Sequence, residues 1–234
     1  MLEKRLEVKA DGKKVYDIII RDTFEGLAKE LAPFGTEERK LCIVTERNVS
    51  SYYLNEVQEI LEKVSARVDI FIFQEGEASK NLDTVSQLYR YLIQHEYDRK
   101  DMLVALGGGV VGDLTGFAAA TYLRGIDFVQ VPTSLLSQVD SSIGGKTGVD
   151  FQCYKNMVGA FYMPKLVYIN INTLKTLSER EFHSGLGEVI KHGLIRDKEY
   201  YNWIRENKEA IAEREPEAMA VMVDGSCRIK RAVV

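Results

Sequence analysis

The chain has no long uninterrupted hydrophobic run, although 45% of its 234 residues are hydrophobic. A helix that crosses a bilayer needs about 20 consecutive apolar residues, and no segment of the sequence approaches that length. The first five residues, Met-Leu-Glu-Lys-Arg, lack the apolar core of a signal peptide. These absences exclude a membrane span and predict a globular, cytoplasmic protein that has no membrane as its partner.

Cysteine is scarce, and neither sign of charge dominates. Cys42, Cys153 and Cys227 are widely spaced and form no C-x-x-C pair, so we expect reduced, structural thiols rather than a disulfide framework or a zinc–thiolate site. The 31 basic and 35 acidic residues leave a net charge of −4 and are mixed along the chain. Because no global positive field results, nucleic acid is not expected as a partner.

Strand and helix patterns alternate in the first part of the chain. Residues 5–21 alternate around the turn dipeptide Asp11-Gly12, which predicts a β-hairpin. Helical spacing of apolar residues predicts helices over 51–64 and 82–93. Short apolar runs predict buried strands at 41–44, 68–73, 102–106 and 128–131. The sequence therefore predicts the α/β class, with a Rossmann-like parallel sheet.

Helical patterns replace the strands from about Leu174 onward. Ser178 and Glu181 form a capping box at the start of a long helix, and Pro216 stands at a tolerated first-turn position of a helix over 216–231. We expect an α/β domain over 1–172 and the start of a helical domain over 173–234. The last apolar stripe continues to Val234 without a capping residue, so the helical domain is expected to be incomplete and the chain a fragment.

A glycine-rich turn follows the predicted strand at 102–106. Gly107, Gly109 and Gly112 satisfy the pattern G-x-G-x-x-G, in which missing side chains let backbone N–H groups approach a pyrophosphate at a helix N-terminus. The alternative is a tight strand-to-helix connection without a ligand. The strand before and the helix after the turn favour a dinucleotide site.

A second glycine-rich segment carries charge. Lys146 is flanked by Gly144, Gly145 and Gly148, a pattern that holds backbone close to an anion, and Asp140 precedes it. Taken singly, Asp140 could cap a turn and Lys146 could lie on the surface.

Several segments in order resemble the 3-dehydroquinate synthases: 107–113, 122–125, 132–134, 138–148 and 187–191. The similarity runs from about Val44 to the C-terminus, and 140–148 and 188–191 separate this family from its relatives. It implies a Rossmann-like domain followed by a helical metal-binding domain. It also implies a lyase of the shikimate pathway that converts 3-deoxy-arabino-heptulosonate 7-phosphate to 3-dehydroquinate and phosphate by transient oxidation. The implied cofactors are NAD and a divalent metal, zinc or cobalt.

The resemblance also assigns residues to sites. The positions that match cofactor contacts are Asn48, Glu77, Lys80, Gly108, Gly109, Val110, Asp113, Thr133, Ser134, Lys155, Asn156, Thr176 and Leu177. The positions that match substrate or catalytic contacts are Asp140, Lys146, Lys191 and Arg124. Lysine and arginine suit a sugar phosphate that also carries a carboxylate. In the family, the arginine at position 124 reaches the phosphate site of a neighbouring subunit, which implies a homodimer.

Glu188 is the metal ligand that the resemblance implies, and a carboxylate oxygen suits a catalytic zinc. The family's two other ligands are histidines beyond Val234, so His95, His183 and His192 do not match them. His192 lies four residues after Glu188, a spacing compatible with a shared metal, but we favour a packing role for it. Read alone, Glu188 and Lys191 would form an ordinary surface ion pair.

Two other functions remain open at this stage. One is a metal-dependent NAD(P) polyol or alcohol dehydrogenase of the same fold, against which the Gly144–Gly148 segment argues. The other is a catalytically incompetent chain that binds only nucleotide, because losing two distant histidines should weaken metal binding.

Overall fold

The structure, a computed structural model, describes residues 2–233. Within that range, seven strands form one sheet in the order β1-β2-β9-β6-β5-β3-β4, and two strands, β7 and β8, form a separate hairpin. The strands are β1 (Glu3–Ala10), β2 (Lys13–Arg21), β3 (Lys40–Glu46), β4 (Arg67–Phe73), β5 (Met102–Gly107), β6 (Asp127–Pro132), β7 (Lys146–Phe151), β8 (Tyr154–Phe161) and β9 (Leu166–Asn170).

The predicted hairpin and parallel sheet are confirmed. Strands β1 and β2 pair antiparallel around Asp11 and Gly12, whose φ values of 50° and 75° are both left-handed, as a tight hairpin turn requires. The pairs β2–β9, β9–β6, β6–β5, β5–β3 and β3–β4 are all parallel. The predicted α/β class is therefore correct.

Eight helices alternate with or follow these strands among the described residues. They are α1 (Leu27–Leu31), α2 (Arg47–Glu62), α3 (Leu82–Gln94), α4 (Gly109–Thr121), α5 (Glu179–Arg196), α6 (Lys198–Glu206), α7 (Lys208–Ala212) and α8 (Pro216–Arg231). Helix α2 begins four residues earlier than its apolar spacing predicted. The reason is a cap: the Glu46 carboxylate accepts hydrogen bonds from the backbone N–H groups of Asn48 and Val49, at 2.7 and 2.8 Å.

Helices cover both faces of the sheet. Helices α1 and α2 bury one face, where Ile43, Val104 and Tyr168 are fully buried. On the other face, α3 packs over β4, and α4 packs over β3, β5 and β6. The same face of β1, β2 and β9 is covered by the C-terminal helices, so residues from both ends of the chain share one buried cluster. Alternation of side chains along each strand supplies both apolar faces.

Three strands were not predicted from the sequence. Strand β9 is a fully buried run, Leu-Val-Tyr-Ile-Asn, but no glycine motif or helical stripe draws attention to it. The β7–β8 hairpin follows Gly144 and Gly145, and most of β8 is exposed, so no period-2 burial pattern marks it. A π-helical turn over Ser137–Ser141 precedes the hairpin.

The C-terminal helices follow the predicted pattern. The Ser178 hydroxyl accepts the Glu181 N–H at 3.3 Å, which confirms Ser178 as the N-cap, and α8 begins at Pro216. Helix α8 ends at Arg231, so the predicted helix over 216–231 is confirmed, and Val234, to which the apolar stripe extends, lies outside the described residues. The division into 1–172 and 173–234 stays a prediction.

The remaining expectations concern thiols and membranes. Cys42 and Cys227 are buried, Cys153 is exposed, and all three are free. Burial raises the pKa of the Cys42 and Cys227 thiols, so both stay protonated and unreactive. Within residues 2–233, none of the helices combines the length and the apolar character that a bilayer span requires.

Candidate active site

The candidate site lies at the carboxyl edge of the parallel sheet. The five strands β4-β3-β5-β6-β9 are consecutive in the sheet. The chain leaves β3 towards β4 on one side, and it leaves β5 towards β6 on the other. In doubly wound sheets, ligands bind outside the carboxyl ends of the strands at such a switch point. Here the switch point lies between Glu46, at the end of β3, and Gly107, at the end of β5.

Helix α4 begins at this switch point. Gly108 is its N-cap, and no side chain among the described residues caps it, so its first backbone N–H groups are available to an anion. Gly107 lets strand and helix approach closely, because a Cβ there would lie 2.4 Å from Cγ2 of Val111. Gly107 therefore allows a tight strand-to-helix connection, and the backbone N–H groups from Gly109 onward remain available to an anion. The turn thus has features of both alternatives, the packing connection and the dinucleotide site.

A cavity of about 800 Å³ opens at this edge. It collects eleven of the thirteen predicted cofactor residues: Asn48, Glu77, Lys80, Gly108, Gly109, Val110, Asp113, Thr133, Ser134, Thr176 and Leu177. The remaining two adjoin them. Lys155 forms an exposed ion pair with Glu77 at 3.2 Å, and Asn156 bonds to Lys80. We call this space the nucleotide cavity.

Lys80 is the buried centre of the nucleotide cavity. Its side chain is 6% exposed, and Nζ donates hydrogen bonds to Oδ2 of Asp113 and Oδ1 of Asn156, both at 2.6 Å. These bonds tie helix α4 to strand β8. Burial raises the pKa of the Asp113 carboxyl, and the charge of Lys80 partly offsets that rise.

A second cavity of about 520 Å³ adjoins the first, and Asp113 and Ser141 line both. Asp140, Lys146, Asn156 and Lys230 also line it, so it brings together cationic and carboxylate groups. Lys230, near the end of α8, forms an ion pair with Asp140. We call this space the anion cavity, because two lysines face it.

The π-helical turn fixes Asp140 in the anion cavity. Gln138 is fully buried in that turn, and its Nε2 donates to Pro132 O and Asn170 O at 3.2 Å and to Thr173 Oγ1 at 3.0 Å. These bonds hold the turn against the carboxyl ends of β6 and β9. A widened helical turn at such a place is common at functional sites.

Asp140, Glu188 and His192 form a cluster. One possible ligand atom from each lies within 4.8 Å of the others, and Nε2 of His192 lies 3.4 Å from Oε1 of Glu188. Lys191 also pairs with Glu188, and that hydrogen bond raises the pKa of the Lys191 ammonium. The carboxylate of Glu188 therefore both forms the ion pair with Lys191 and is the predicted metal ligand.

His192 was predicted to have a packing role, and the structure also places it beside two possible metal ligands. Its side chain is 4% exposed, as a packing role requires, but it also joins the donor cluster. Burial lowers its pKa, which favours the neutral imidazole, and Nδ1 has no hydrogen-bond partner among the described residues. Neutral imidazole is the form that binds metal. Its role as a ligand stays a hypothesis.

Arg124 is the one predicted site residue that lies apart. It follows the far end of α4, whose 13 residues separate it from Gly109 by about 20 Å at 1.5 Å per residue. Leu123 and Arg124 are both left-handed, with φ values of 51° and 67°, and the Arg99 side chain holds Leu123 O at 3.1 Å. The described residues that line the two cavities include none from this turn.

Several site residues were missed from the sequence. Lys230 lies among the basic residues that end α8, where a lysine is ordinary. Tyr53 lines the nucleotide cavity and bonds to Thr173 O and the Thr176 hydroxyl, but it reads as one member of a helical stripe. No local signal marks either residue, because their roles depend on contacts more than 80 positions away in the chain.

Comparison with known proteins identifies the family of the chain. The model of the 3-dehydroquinate synthase N-terminal family matches residues 70–184, and that of the 3-dehydroquinate synthase C-terminal family matches residues 185–234. A curated relative, 3-dehydroquinate synthase of Ruminiclostridium cellulolyticum, is 46% identical over 222 residues, which are 95% of this chain. The chain spans 62% of that relative's length.

Two solved structures share the fold. A 2-deoxy-scyllo-inosose synthase in complex with carbaglucose-6-phosphate, NAD+ and Co2+ is 26% identical, with a TM-score of 0.85 over 99% of this chain and 62% of its own. The 2-epi-5-epi-valiolone synthase of Streptomyces hygroscopicus, with NAD+ and Zn2+ bound, is 26% identical, with a TM-score of 0.83 over 96% of this chain and 62% of its own. From the two family matches and the curated relative, the chain belongs to the 3-dehydroquinate synthase family.

Proposed function

We propose that the chain supplies the cofactor and substrate site of a 3-dehydroquinate synthase. The reaction is the conversion of 3-deoxy-arabino-heptulosonate 7-phosphate to 3-dehydroquinate and inorganic phosphate, which makes the enzyme a carbon–oxygen lyase acting on a phosphate. The observation that carries the proposal is the junction of the two cavities, where Asp113 and Ser141 line both. A nucleotide and an anionic substrate bound there would be in contact.

NAD fits the nucleotide cavity. The uncapped N-terminus of α4 offers backbone N–H groups to a pyrophosphate, and about 800 Å³ of space extends towards Asn48 and the end of β3. Lys80 and Asp113 form its buried wall. The solved relatives, which bind NAD+, support the same cofactor here.

A divalent metal fits the cluster of Asp140, Glu188 and His192. Two carboxylates and one imidazole are a donor set that suits zinc or cobalt. Nδ1 of His192 is buried and has no hydrogen-bond partner among the described residues, which leaves that nitrogen available to a ligand. When bound, NAD supplies transient hydride acceptance and the metal supplies polarisation of the substrate oxygen. We propose Glu188 as the first of its ligands.

The chain's own residues would bind and orient the substrate. Lys146 and Lys230 place two ammonium groups at the anion cavity, where they suit the phosphate and the carboxylate of a keto-sugar acid. Asp140, held by the π-helical turn and by Lys230, is placed to accept a hydrogen bond or a proton from a sugar hydroxyl. Lys191 lies beside Glu188 and adds positive charge at the same edge.

We also propose a cytoplasmic homodimer. Arg124 lies about 20 Å along α4 from the nucleotide turn, in a left-handed turn, and it lines neither cavity. An arginine held so far from its own site can complete the anion cavity of a second copy. This arrangement supports the homodimer that the sequence predicted.

The proposal is tested with NAD, metal and substrate together. We expect NAD to raise the melting temperature by mass action, and we expect phosphate release from the heptulosonate phosphate in the presence of Co2+ and NAD. Lys146→Ala should abolish phosphate release and leave the shift in melting temperature intact. Absence of any shift with saturating NAD would contradict the proposal.

The alternatives predict other products. A polyol or alcohol dehydrogenase would accumulate NADH from a simple polyol and release no phosphate. A chain that binds only nucleotide would show the melting shift and no turnover. Its Co2+ affinity would be low, because Asp140, Glu188 and His192 would then not serve as the three protein ligands that a catalytic metal usually needs. Measuring NADH absorbance and phosphate in one reaction separates the three.

A further inference from the structure

The segment that joins Asp140 to Lys146 depends on two glycines. Gly144 and Gly145 have φ values of 101° and 65°, a region that side-chain-bearing residues rarely adopt. A Cβ on Gly145 would also lie 2.6 Å from Sδ of Met163. Because glycine is so permissive, this loop needs external contacts to hold one conformation.

Two contacts supply that restraint. The Gly145 carbonyl accepts the Tyr162 N–H at 2.7 Å, which anchors the loop to the chain after β8. The Gly144 N–H donates to the hydroxyl of Tyr16 at 3.2 Å, and this bond is buried. Tyr16 stands 128 positions earlier, on β2 of the main sheet, so its hydroxyl ties the loop to a rigid strand.

Tyr16 is itself immobilised. It is 1% exposed and belongs to the same buried cluster as Val139 and Ile143, which flank Asp140 in the chain. Across the hairpin it pairs with Val8. Burial raises its pKa to about 12, so the hydroxyl is neutral at physiological pH and does not place a charge near Asp140.

We infer that Tyr16 is a positioning residue for the anion cavity, acting through the Gly144 N–H to set the distance between Asp140 and Lys146. This inference rests on the proposed function for what the anion cavity binds. Without the hydroxyl, the buried Gly144 N–H loses its partner, and the glycine loop gains alternative conformations. Displacement of a positioned group by about 1 Å costs up to about a hundredfold in rate.

The test compares Tyr16→Phe with Tyr168→Phe. Tyr168 is also a fully buried tyrosine, and its hydroxyl donates to Thr23 O at 2.9 Å, away from the anion cavity. Each variant loses one buried hydroxyl and keeps its ring. Amide hydrogen exchange over 140–148, the affinities for inorganic phosphate and for NAD, and kcat and KM for phosphate release are measured for both variants and the parent.

We expect Tyr16→Phe to accelerate exchange over 140–148 and to weaken phosphate binding by about tenfold, with NAD affinity unchanged. In turnover, kcat should fall while KM for NAD stays constant. Tyr168→Phe should change none of these. Equal exchange over 140–148 in the two variants would overturn the inference, as would phosphate affinity in Tyr16→Phe equal to that of the parent. If the parent fails to bind NAD or phosphate, the proposed function fails, and the exchange comparison alone decides the role of Tyr16.

Discussion

Lys80 shows how one buried charge can serve both stability and the site. Its ammonium group compensates the carboxylate of Asp113, which is itself largely buried. Lys80→Met keeps the aliphatic stem and leaves Asp113 without its cation, so we expect a loss of about 3 kcal/mol in the free energy of unfolding together with weaker NAD binding. Urea unfolding and NAD titration measure the two effects.

The matched control is Lys155→Met. Lys155 also pairs with a carboxylate of the nucleotide cavity, that of Glu77, but the two side chains are 73% and 43% exposed. Its loss should cost less than about 1 kcal/mol, because solvent screens an exposed ion pair. A Lys155 variant as unstable as the Lys80 variant would show that burial does not set the difference.

Tyr16 also makes stability depend on pH. Its pKa is raised to about 12 in the folded state, above the value of about 10 in an unfolded chain. Between these values the unfolded state loses the proton first, so the contribution of Tyr16 falls as pH rises. At pH 11 the loss amounts to about 1 kcal/mol.

Between pH 8 and pH 11, the free energy of unfolding should therefore fall less in Tyr16→Phe than in the parent. Urea unfolding at pH 8 and at pH 11 measures both changes. Ile18→Val, another change on β2 at a fully buried position, removes no titrating group and should differ from the parent by the same amount at both values. If the difference between Tyr16→Phe and the parent is also constant, the hydroxyl does not titrate as inferred.

At the residue scale, motif matching found the positions whose chemistry is local. Gly109 belongs to the glycine pattern of the strand-to-helix turn, and Gly108 and Val110 were assigned beside it through the family resemblance. All three line the nucleotide cavity. Lys230 and Tyr16 could not be found in this way, because each touches the site through a partner 90 or 128 positions distant. A lysine at a helix end and a tyrosine in a strand are common for other reasons.

At the scale of elements, a substitution in the β5–α4 connection tests whether close packing at Gly107 limits this turn. Gly107→Ala would put a methyl group within 2.4 Å of Cγ2 and 2.7 Å of Cβ of Val111, and Cβ cannot rotate away. We expect the variant to lose about 1–3 kcal/mol of stability and to bind NAD poorly, because the start of α4 must shift. Calorimetry and NAD titration test both.

The control is Gly187→Ala in the interior of α5. A Cβ at Gly187 would meet nothing within 4 Å, so the substitution should stabilise the helix by up to about 1 kcal/mol. If both glycine variants behave alike, close packing at Gly107 does not limit the turn.

Elements with a strong apolar period or a cap were predictable from the chain alone. Strands β3, β4, β5 and β6 and helices α3 and α8 lie where their patterns place them. The β7–β8 hairpin was not predictable, because its glycines and exposed side chains carry no burial period. The start of α2 also escaped prediction, since it depends on a capping carboxylate rather than on an apolar stripe.

At the scale of the whole molecule, the proposed homodimer predicts complementation between two defective chains. Arg124→Ala and Lys146→Ala should each lack phosphate release. In a mixed dimer, the Arg124→Ala chain keeps Lys146 and receives Arg124 from its partner, which restores one site of two. Random pairing makes half the dimers mixed, so about one quarter of the parent activity should return.

Phosphate release after unfolding and refolding the two variants together measures this recovery. The control is a mixture of Lys146→Ala and Asp140→Ala. Both residues line the anion cavity of their own chain, so every site in a mixed dimer still lacks one of them. No recovery in the Arg124→Ala and Lys146→Ala mixture, or equal recovery in both mixtures, would mean that Arg124 does not act across an interface.

The alternation of strands and helices up to β6, the parallel sheet and the glycine turn could be predicted from the sequence, because they follow from side-chain periodicity and backbone sterics over short stretches. The junction of the nucleotide and anion cavities could not be predicted from the sequence. It exists because the π-helical turn, α5 and α8 pack against one face of the sheet, to which β2 contributes. This packing brings Tyr16, Asp140, Glu188 and Lys230 together from separate parts of the chain. Long-range packing depends on the summed burial of many side chains, and no local pattern encodes that sum.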